Sequence, residues 1–270
     1  MTSRPLALLA VVATALALVA CAPASAPPAA DEPSAGQQDL DAQLRDAAWA
    51  DDVDGAAELI ARGADVNAKD DTQQSAYLIA TSEGHLELLR LTLAHGARVD
   101  DKDSWNGTGL IRAAERGHGH VVGELLRAGI DRDHVNRIGY QAIHEAVIFG
   151  EDTPEYATTV RALIAGGVEL DRPSGNEGRT PLQMAEDRGL DGLRTILAFA
   201  RDAEVPADPD AALRAAARAG DADASAVALR AGAAIDVPDP ESGRTPLQDA
   251  VSGGHDAVAD LLVAMGADRG

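Results

Sequence analysis

The amino-acid sequence predicts an all-α repeat solenoid of about seven helix–turn–helix units with β-hairpin loops between them. Glycines carry the period: Gly63, Gly96 and Gly129 are spaced by 33 residues, and Gly84, Gly117 and Gly150 are spaced by 33 again. An interval of 12 residues recurs from Gly84 to Gly96, Gly117 to Gly129, Gly220 to Gly232 and Gly254 to Gly266. Short words keep the register, Thr180-Pro181-Leu182-Gln183-Met184-Ala185 returning as Thr245-Pro246-Leu247-Gln248-Asp249-Ala250. A repeat of this length is one supersecondary unit whose apolar face is buried only by stacking on its neighbours.

Composition narrows the function. Of 270 residues, 46% are hydrophobic and 25% charged, the balance of a folded globular chain. Asp and Glu number 44 against 23 Lys and Arg, and the net charge of −21 repels phosphate backbones, so no nucleic-acid partner is expected. Only 3% of residues are aromatic, which leaves few rings for stacking bases, sugars or flavins. The one cysteine, Cys21, excludes an internal disulfide framework, a Cys-rich zinc site and an iron–sulfur cluster.

From the N-terminus, Arg4 is the only charged residue before the apolar run Leu6–Ala20, which at about 15 residues is shorter than a spanning helix. A positive start, a short apolar core and small residues near the end describe a secretory signal. The run closes on Leu18-Val19-Ala20-Cys21, which resembles the lipobox of bacterial lipoproteins. That resemblance implies removal of residues 1–20 and acylation of Cys21. The protein is then exported and lipid-anchored to a bacterial membrane, facing the periplasm or the cell exterior. The alternative is an ordinary signal cleaved after Ala24 or Ala26, since Ala22-Pro23-Ala24 and Ala24-Ser25-Ala26 both offer the small-x-small pattern. Residues 21–39, rich in Ala and Pro, read as a disordered tether, and Ala22 to Gln38 reaches roughly 50 Å if extended like polyproline.

Units begin near Ala42, Ser75, Thr108, Gln141 and Thr180 within residues 40–202, and near Ala211 and Thr245 within residues 211–270. Thr180 and Thr245 are helix caps, and Pro181 and Pro246 occupy the first helical position, where no N–H is missed. Leu182 and Ala185 face the core, and the glycine after each second helix ends it in a left-handed conformation. The first and sixth units lack Thr and Pro but keep Leu44, Ala47 and Ala48, and Leu213, Ala216 and Ala217. The fourth carries an insertion, Glu151-Asp152-Thr153-Pro154. The fifth ends in Arg201-Asp202-Ala203, and Pro206 and Pro209 mark residues 203–210 as an irregular connection. The array there either kinks or breaks into blocks of five and two. Two units alone bury too little to be stable, so one continuous but irregular stack is expected.

The repeated words, the turns Gly84-His85, Gly117-His118 and Gly254-His255, and the exits Gly63-Ala64-Asp65-Val66-Asn67 and Gly266-Ala267-Asp268 resemble the ankyrin repeat family over about Leu40–Gly270. The resemblance implies binding of a protein partner through hairpin tips and the exposed side of the first helices, which form a concave face. The tips fall near 68–73, 101–106, 133–138, 172–177 and 237–242 and carry Asp70, Asp71, Asp101, Asp103, Asp133 and Asp239. These acids are either solvated loop charge or an acidic groove for a basic partner. Two adjacent tips supply the candidate partner-binding residues: Asp103, Trp105 and Asn106 on one, and His134, Asn136, Arg137 and Tyr140 on the next. Aromatic rings and arginine are the usual anchors of an interface, and the alternative is that Trp105 and Tyr140 pack between hairpins. Trp49 is expected to cover the open end of the stack.

No catalytic set emerges. His85, His118 and His255 sit at the position of the family's inter-helix turn, and His95 precedes a helix-ending glycine. His144 takes the histidine place of the family's Thr-Pro-Leu-His-x-Ala motif, a resemblance that implies a bond to backbone. Ile148 stands where a second zinc-binding histidine would follow His144-Glu145, and His118 and His120 point to different sides of a helix. Asp101-Lys102-Asp103 opens like a calcium loop, but Trp105 occupies a ligand position. The expected protein is not an enzyme and uses no metal, cofactor or small-molecule substrate. Its expected function is to bind a protein partner in the cell envelope, with periplasmic immunity or stress protection of one enzyme or toxin as narrower forms. Two other classes stay open: a passive envelope spacer, and an enzyme using Asp103 with His134 or Glu145.

Overall fold

The structure is a computed structural model and describes residues 34–269. The expected signal, Cys21 and most of the tether lie outside the described residues. Among those described, fourteen helices form seven antiparallel pairs: α1 (Ala35–Trp49) with α2 (Val53–Ala61), α3 (Ala76–Glu83) with α4 (Leu86–Ala94), and α5 (Gly109–Glu115) with α6 (Gly119–Arg127). Then come α7 (Ala142–Ile148) with α8 (Pro154–Ala165), α9 (Pro181–Arg188) with α10 (Asp191–Asp202), α11 (Pro209–Ala219) with α12 (Ala222–Arg230), and α13 (Pro246–Gly253) with α14 (Asp256–Ala264). None of them is long and apolar enough to cross a membrane.

Local chemistry sets the pairs. Thr180 and Thr245 accept from the amides of Gln183 and Gln248, whose side chains return the bond, closing a capping box at α9 and α13. His144 takes the same part at α7: its Nδ1 accepts from the Gln141 amide at 3.2 Å while its Nε2 bonds the Arg172 carbonyl at 3.0 Å. His118 and His255 bond the carbonyls of Ser82 and Arg218, one repeat back. Every second helix except α10 ends on a positive-φ glycine, as at Gly96 (86°) and Gly129 (83°), which turns the chain toward the next tip. In the fourth pair that residue is Gly167 at 83°, one position after the Gly166 that the interval suggests.

Two boundaries and the form of the tips differ from the sequence reading. The helical array starts at Ala35, with Ser34 as its cap, so the last five residues of the expected tether are helix. Gln37 reaches Asp41 and the Gly63 carbonyl, each at 2.8 Å, which gives this added turn a tertiary role. The sixth unit opens at Pro209 rather than Ala211, because Asp208 accepts from the Ala211 amide and supplies the missing cap. The expected β-hairpins reduce to one isolated bridge, Lys102 with Thr108, and no strand forms among the described residues. Side-chain oxygens take the tip amides that a ladder would need.

The expected continuous stack is the larger correction. First helices stack in order from α1 through α3, α5 and α7 to α9, and α13 stacks on α11, but α11 does not stack on α9. Instead α12 packs on α8 and α10, and α14 packs on α6 and α8. Repeats six and seven therefore fold back, second helices against second helices, onto repeats three to five. The cause is the missing exit glycine: α10 runs on through Asp202 and leaves by extended backbone at Ala203. Without the left-handed turn no tip forms to bring the next unit alongside.

The fold-back contact is built from specific groups. Gly123 of α6 meets the end of α14 so closely that a Cβ there would lie 2.0 Å from the Ala264 carbonyl oxygen. Arg127 donates to that oxygen at 2.6 Å. Asp260 of α14 bonds His120 of α6 at 2.8 Å and the Thr158 hydroxyl of α8 at 2.6 Å, and Arg161 of α8 bonds Asp223 of α12 at 2.7 Å. His120 thus holds the two blocks together, a role the sequence alone left unassigned. Arg230 donates to the carbonyls of Ile164 and Val168, and burial lowers its pKa from the usual arginine value.

Candidate partner interface

Each tip is organised by one side-chain acceptor that gathers backbone amides. Asp70 takes those of Thr72 and Gln74 at 2.9 Å, Asp103 those of Trp105 and Gly107 at 2.8 and 2.7 Å, and Asn136 those of Ile138, Gly139 and Tyr140 at 3.0–3.1 Å. Ser174 and Asp239 do the same work on the later tips. These are Asx-type turns, in which a short polar side chain replaces a backbone acceptor. Asp103 and Asn136, proposed from sequence as partner contacts, are 9% and 7% exposed and belong to the frame. Several tip acids also meet internal cations: Lys69 with Asp101 at 2.8 Å, Arg112 with Asp103 at 3.6 Å, and Arg218 with Asp239. An open acidic groove is therefore not what these carboxylates form.

The tips of repeats three and four are sewn together. Arg137 donates its backbone amide to the Trp105 carbonyl at 3.0 Å and a guanidinium N–H to the Ser104 carbonyl at 2.6 Å. His134 Nε2 bonds the Asn106 carbonyl at 2.8 Å, and Asn106 donates to the Val135 carbonyl at 3.2 Å. On this base two apolar side chains stand into solvent at equivalent positions, Trp105 at 61% and Ile138 at 42% exposure. Arg137 is exposed between them. Ile138 was missing from the sequence-derived set, although its 33-residue register with Trp105 was there to be read.

Tyr140 belongs to the packing alternative. It is 5% exposed, its hydroxyl donates to Glu177 at 3.0 Å, and its ring stacks on His144 with centroids 6.0 Å apart. Burial and the Glu177 contact push its phenol up from the ordinary value, against the Asn176 bond. Trp105→Ala should change stability by less than about 0.5 kcal/mol, as for an exposed side chain. Tyr140→Ala should cost roughly 3–5 kcal/mol, as for a buried aromatic. Urea denaturation of the two variants separates them, and comparable losses would place Trp105 in the core.

Beneath the tip of repeat four, hereafter the fourth tip, lies Glu145 of α7, 3% exposed. Its Oε1 accepts from the Asn136 amide at 2.6 Å, while Oε2 is buried with no hydrogen-bond partner. Burial, helped by Glu115 and Asp103, pushes its carboxyl up to about 7, against the pull of Asn136 and Arg112. Arg112 is engaged by Glu115 at 2.5 Å and faces Asp103 at 3.6 Å. The catalytic alternative sets Asp103 with His134 or Glu145. In the fold His134 is turned to Asn106, and the two acids bond the tip frame. No group of three or more His, Cys, Asp or Glu among the described residues is arranged to hold a metal. Trp49 is 51% exposed at the end of α1, and Phe149, 54% exposed at the end of α7, is a further apolar group that the sequence reading passed over.

Comparison with known proteins agrees with the helix pairs. A family model for ankyrin repeats in three copies matches residues 44–131 and 110–207, and the single ankyrin repeat model matches residues 242–270. The atypical sixth unit lies between these matches. The chain is 30% identical over 140 residues to YahD, an ankyrin repeat protein of Escherichia coli (strain K12), covering 52% of this chain and 69% of that one. It is also 30% identical over 196 residues to a transient receptor potential cation channel subfamily A member 1 homologue of Caenorhabditis elegans, covering 72% of this chain but 16% of the channel protein. Among solved structures it is similar to an ankyrin repeat domain from Acinetobacter baumannii AYE, with a TM-score of 0.55 and 41% identity over 58% of this chain and 80% of that one. The fold is one that typically serves as a non-catalytic scaffold for protein–protein interaction. With its family models covering most of the helical array, the chain belongs to the ankyrin repeat family.

Proposed function

We propose that the protein binds a protein partner through the Trp105–Arg137–Ile138 ridge, outside the cytoplasm, on a membrane anchor formed at Cys21. One observation carries the binding reading. Two large apolar side chains, 61% and 42% exposed, stand in register on tips that hydrogen bonds hold together. Exposed apolar groups on a rigid base cost little conformational freedom on binding, and their burial supplies affinity. The anchor rests on the lipobox-like Leu18-Val19-Ala20-Cys21 and the Ala/Pro-rich segment after it. The net charge of −21 favours a basic partner through long-range attraction rather than through a groove of free carboxylates.

The test is in-cell crosslinking of the full-length chain, compared with a Trp105→Ala/Ile138→Ala double variant whose fold is checked by circular dichroism. One stoichiometric partner that is lost in the variant is the expected result. A partner retained by the variant would move the site elsewhere, and no partner under any growth condition would favour a passive spacer. Radiolabelled palmitate incorporation that vanishes in Cys21→Ser checks the anchor separately.

A further inference from the structure

We propose that Glu145 is a proton switch for the tip that carries Arg137 and Ile138. With the proton in place the tip is closed; when the proton leaves, the tip slackens and the ridge loses its shape. The inference deepens the binding reading by giving that surface a control, and rests on that reading for its functional meaning.

The geometry is a short chain of contacts. Glu145 bonds Asn136, and Asn136 alone gathers the amides of Ile138, Gly139 and Tyr140. A neutral carboxyl accepts the Asn136 bond and leaves no charge in the interior. An ionised one keeps a single hydrogen bond, with its second oxygen buried and unpartnered. Such a carboxylate gains free energy by reaching water, and the way to water is to release Asn136. In the preceding tip, one 33-residue period earlier, Asp103 stands in the place of Asn136 and Arg112 in that of Glu145. There the buried acid faces a cation, Arg112, at 3.6 Å, an arrangement that Glu145 lacks.

The surrounding charges do not rescue Glu145. From α5 come Glu115 and Arg112, already bonded to each other. From the preceding tip comes Asp103, a like charge shared with Arg112. From the following tip Glu177 holds Tyr140, adding negative charge nearby. On α8, Arg161 is turned to Asp223, and on α9, Arg188 donates to the Val147 and Gly150 carbonyls at the end of α7. The carboxyl pushed up to about 7 agrees with this arrangement.

The experiment uses the isotopically labelled full chain without a partner. The Glu145 carboxyl carbon is titrated by NMR from pH 5.5 to 8.5, with amide exchange followed in parallel. The expected result is a carboxyl midpoint near neutrality and a fall in Gly139 and Tyr140 protection on the order of tenfold across it. Trp105 and Gly107 should stay constant, and Glu145→Gln should keep the fourth tip protected throughout. A carboxyl that titrates below pH 5, or fourth-tip protection that stays constant while it titrates, overturns the proposal. So does the same loss of protection in Glu145→Gln. If that variant does not fold, the wild-type titration and exchange decide alone. Because no partner is used, a flat tip leaves the ridge as a binding surface, and an absent partner leaves the switch intact.

Discussion

Replacing Gly123 by alanine should destabilise the protein by about 1–3 kcal/mol, the cost of overpacking a close contact. The direction is informative because helix propensity favours alanine over glycine by roughly 1 kcal/mol inside a helix. Gly123 lies within α6, so an isolated helix would gain from the change. In the folded chain the added methyl falls 2.0 Å from the Ala264 carbonyl oxygen and 2.7 Å from its carbon. Both atoms are backbone, so relief requires α14 to move as a body. That movement also strains the Arg127 bond to the same carbonyl and the Asp260 bonds to His120 and Thr158. Gly36→Ala is the matched control, since the nearest atom to its added Cβ is 4.0 Å away. It should be neutral or stabilising in the same urea titration. A Gly123→Ala protein as stable as the Gly36→Ala protein would mean that repeats six and seven do not rest on α6.

Glu145→Gln should stabilise the protein at pH 8 by about 3 kcal/mol and have little effect near pH 4. The carboxyl is raised from its ordinary 4.5 to about 7 in the fold. Between those values the folded chain holds a proton that the unfolded chain has released. This group's contribution to stability therefore falls as pH rises from 4.5 to about 7, and its full penalty stands above that. Glutamine keeps the acceptor for Asn136 and removes the charge. His144, whose burial lowers its pKa, acts in the opposite sense but is common to both proteins and cancels in the difference. Urea denaturation at the two pH values is the check. A difference that is the same at both would show that ionisation at this site carries no stability.

The helix pairs were legible because their signals are local. Thr-Pro at a cap, glycine at an exit and a fixed interval each act within one turn of chain. The missing exit glycine after Arg201 was legible too, as a break. Its consequence was not, because the docking of α12 and α14 depends on residues scattered over four helices. Gly123 looks like a poor helix residue until Ala264 is brought against it. His120 looks idle beside His118 until Asp260 arrives. At the candidate site the letters are ambiguous. Asp103, Asn136 and Tyr140 are buried in the frame of the tips, and a polar side chain that folds its own turn carries the same letters as one that waits for a partner. Ile138 carries no letter that marks an interface, and only its exposure brings it forward.

The fold-back also sets an order of events in folding. Neighbouring repeats meet across about one repeat length of chain, whereas His120 and Asp260 are 140 residues apart, Arg127 and Ala264 are 137 apart, and Thr158 and Asp260 are 102 apart. Closing such long loops costs configurational entropy that grows with the logarithm of their length, and contacts of this separation slow folding. They become favourable once repeats three to five already present α6, α8 and α10 as one surface. The last two repeats are thus expected to dock last, leaving the flanks they share with repeats three to five in water until they do.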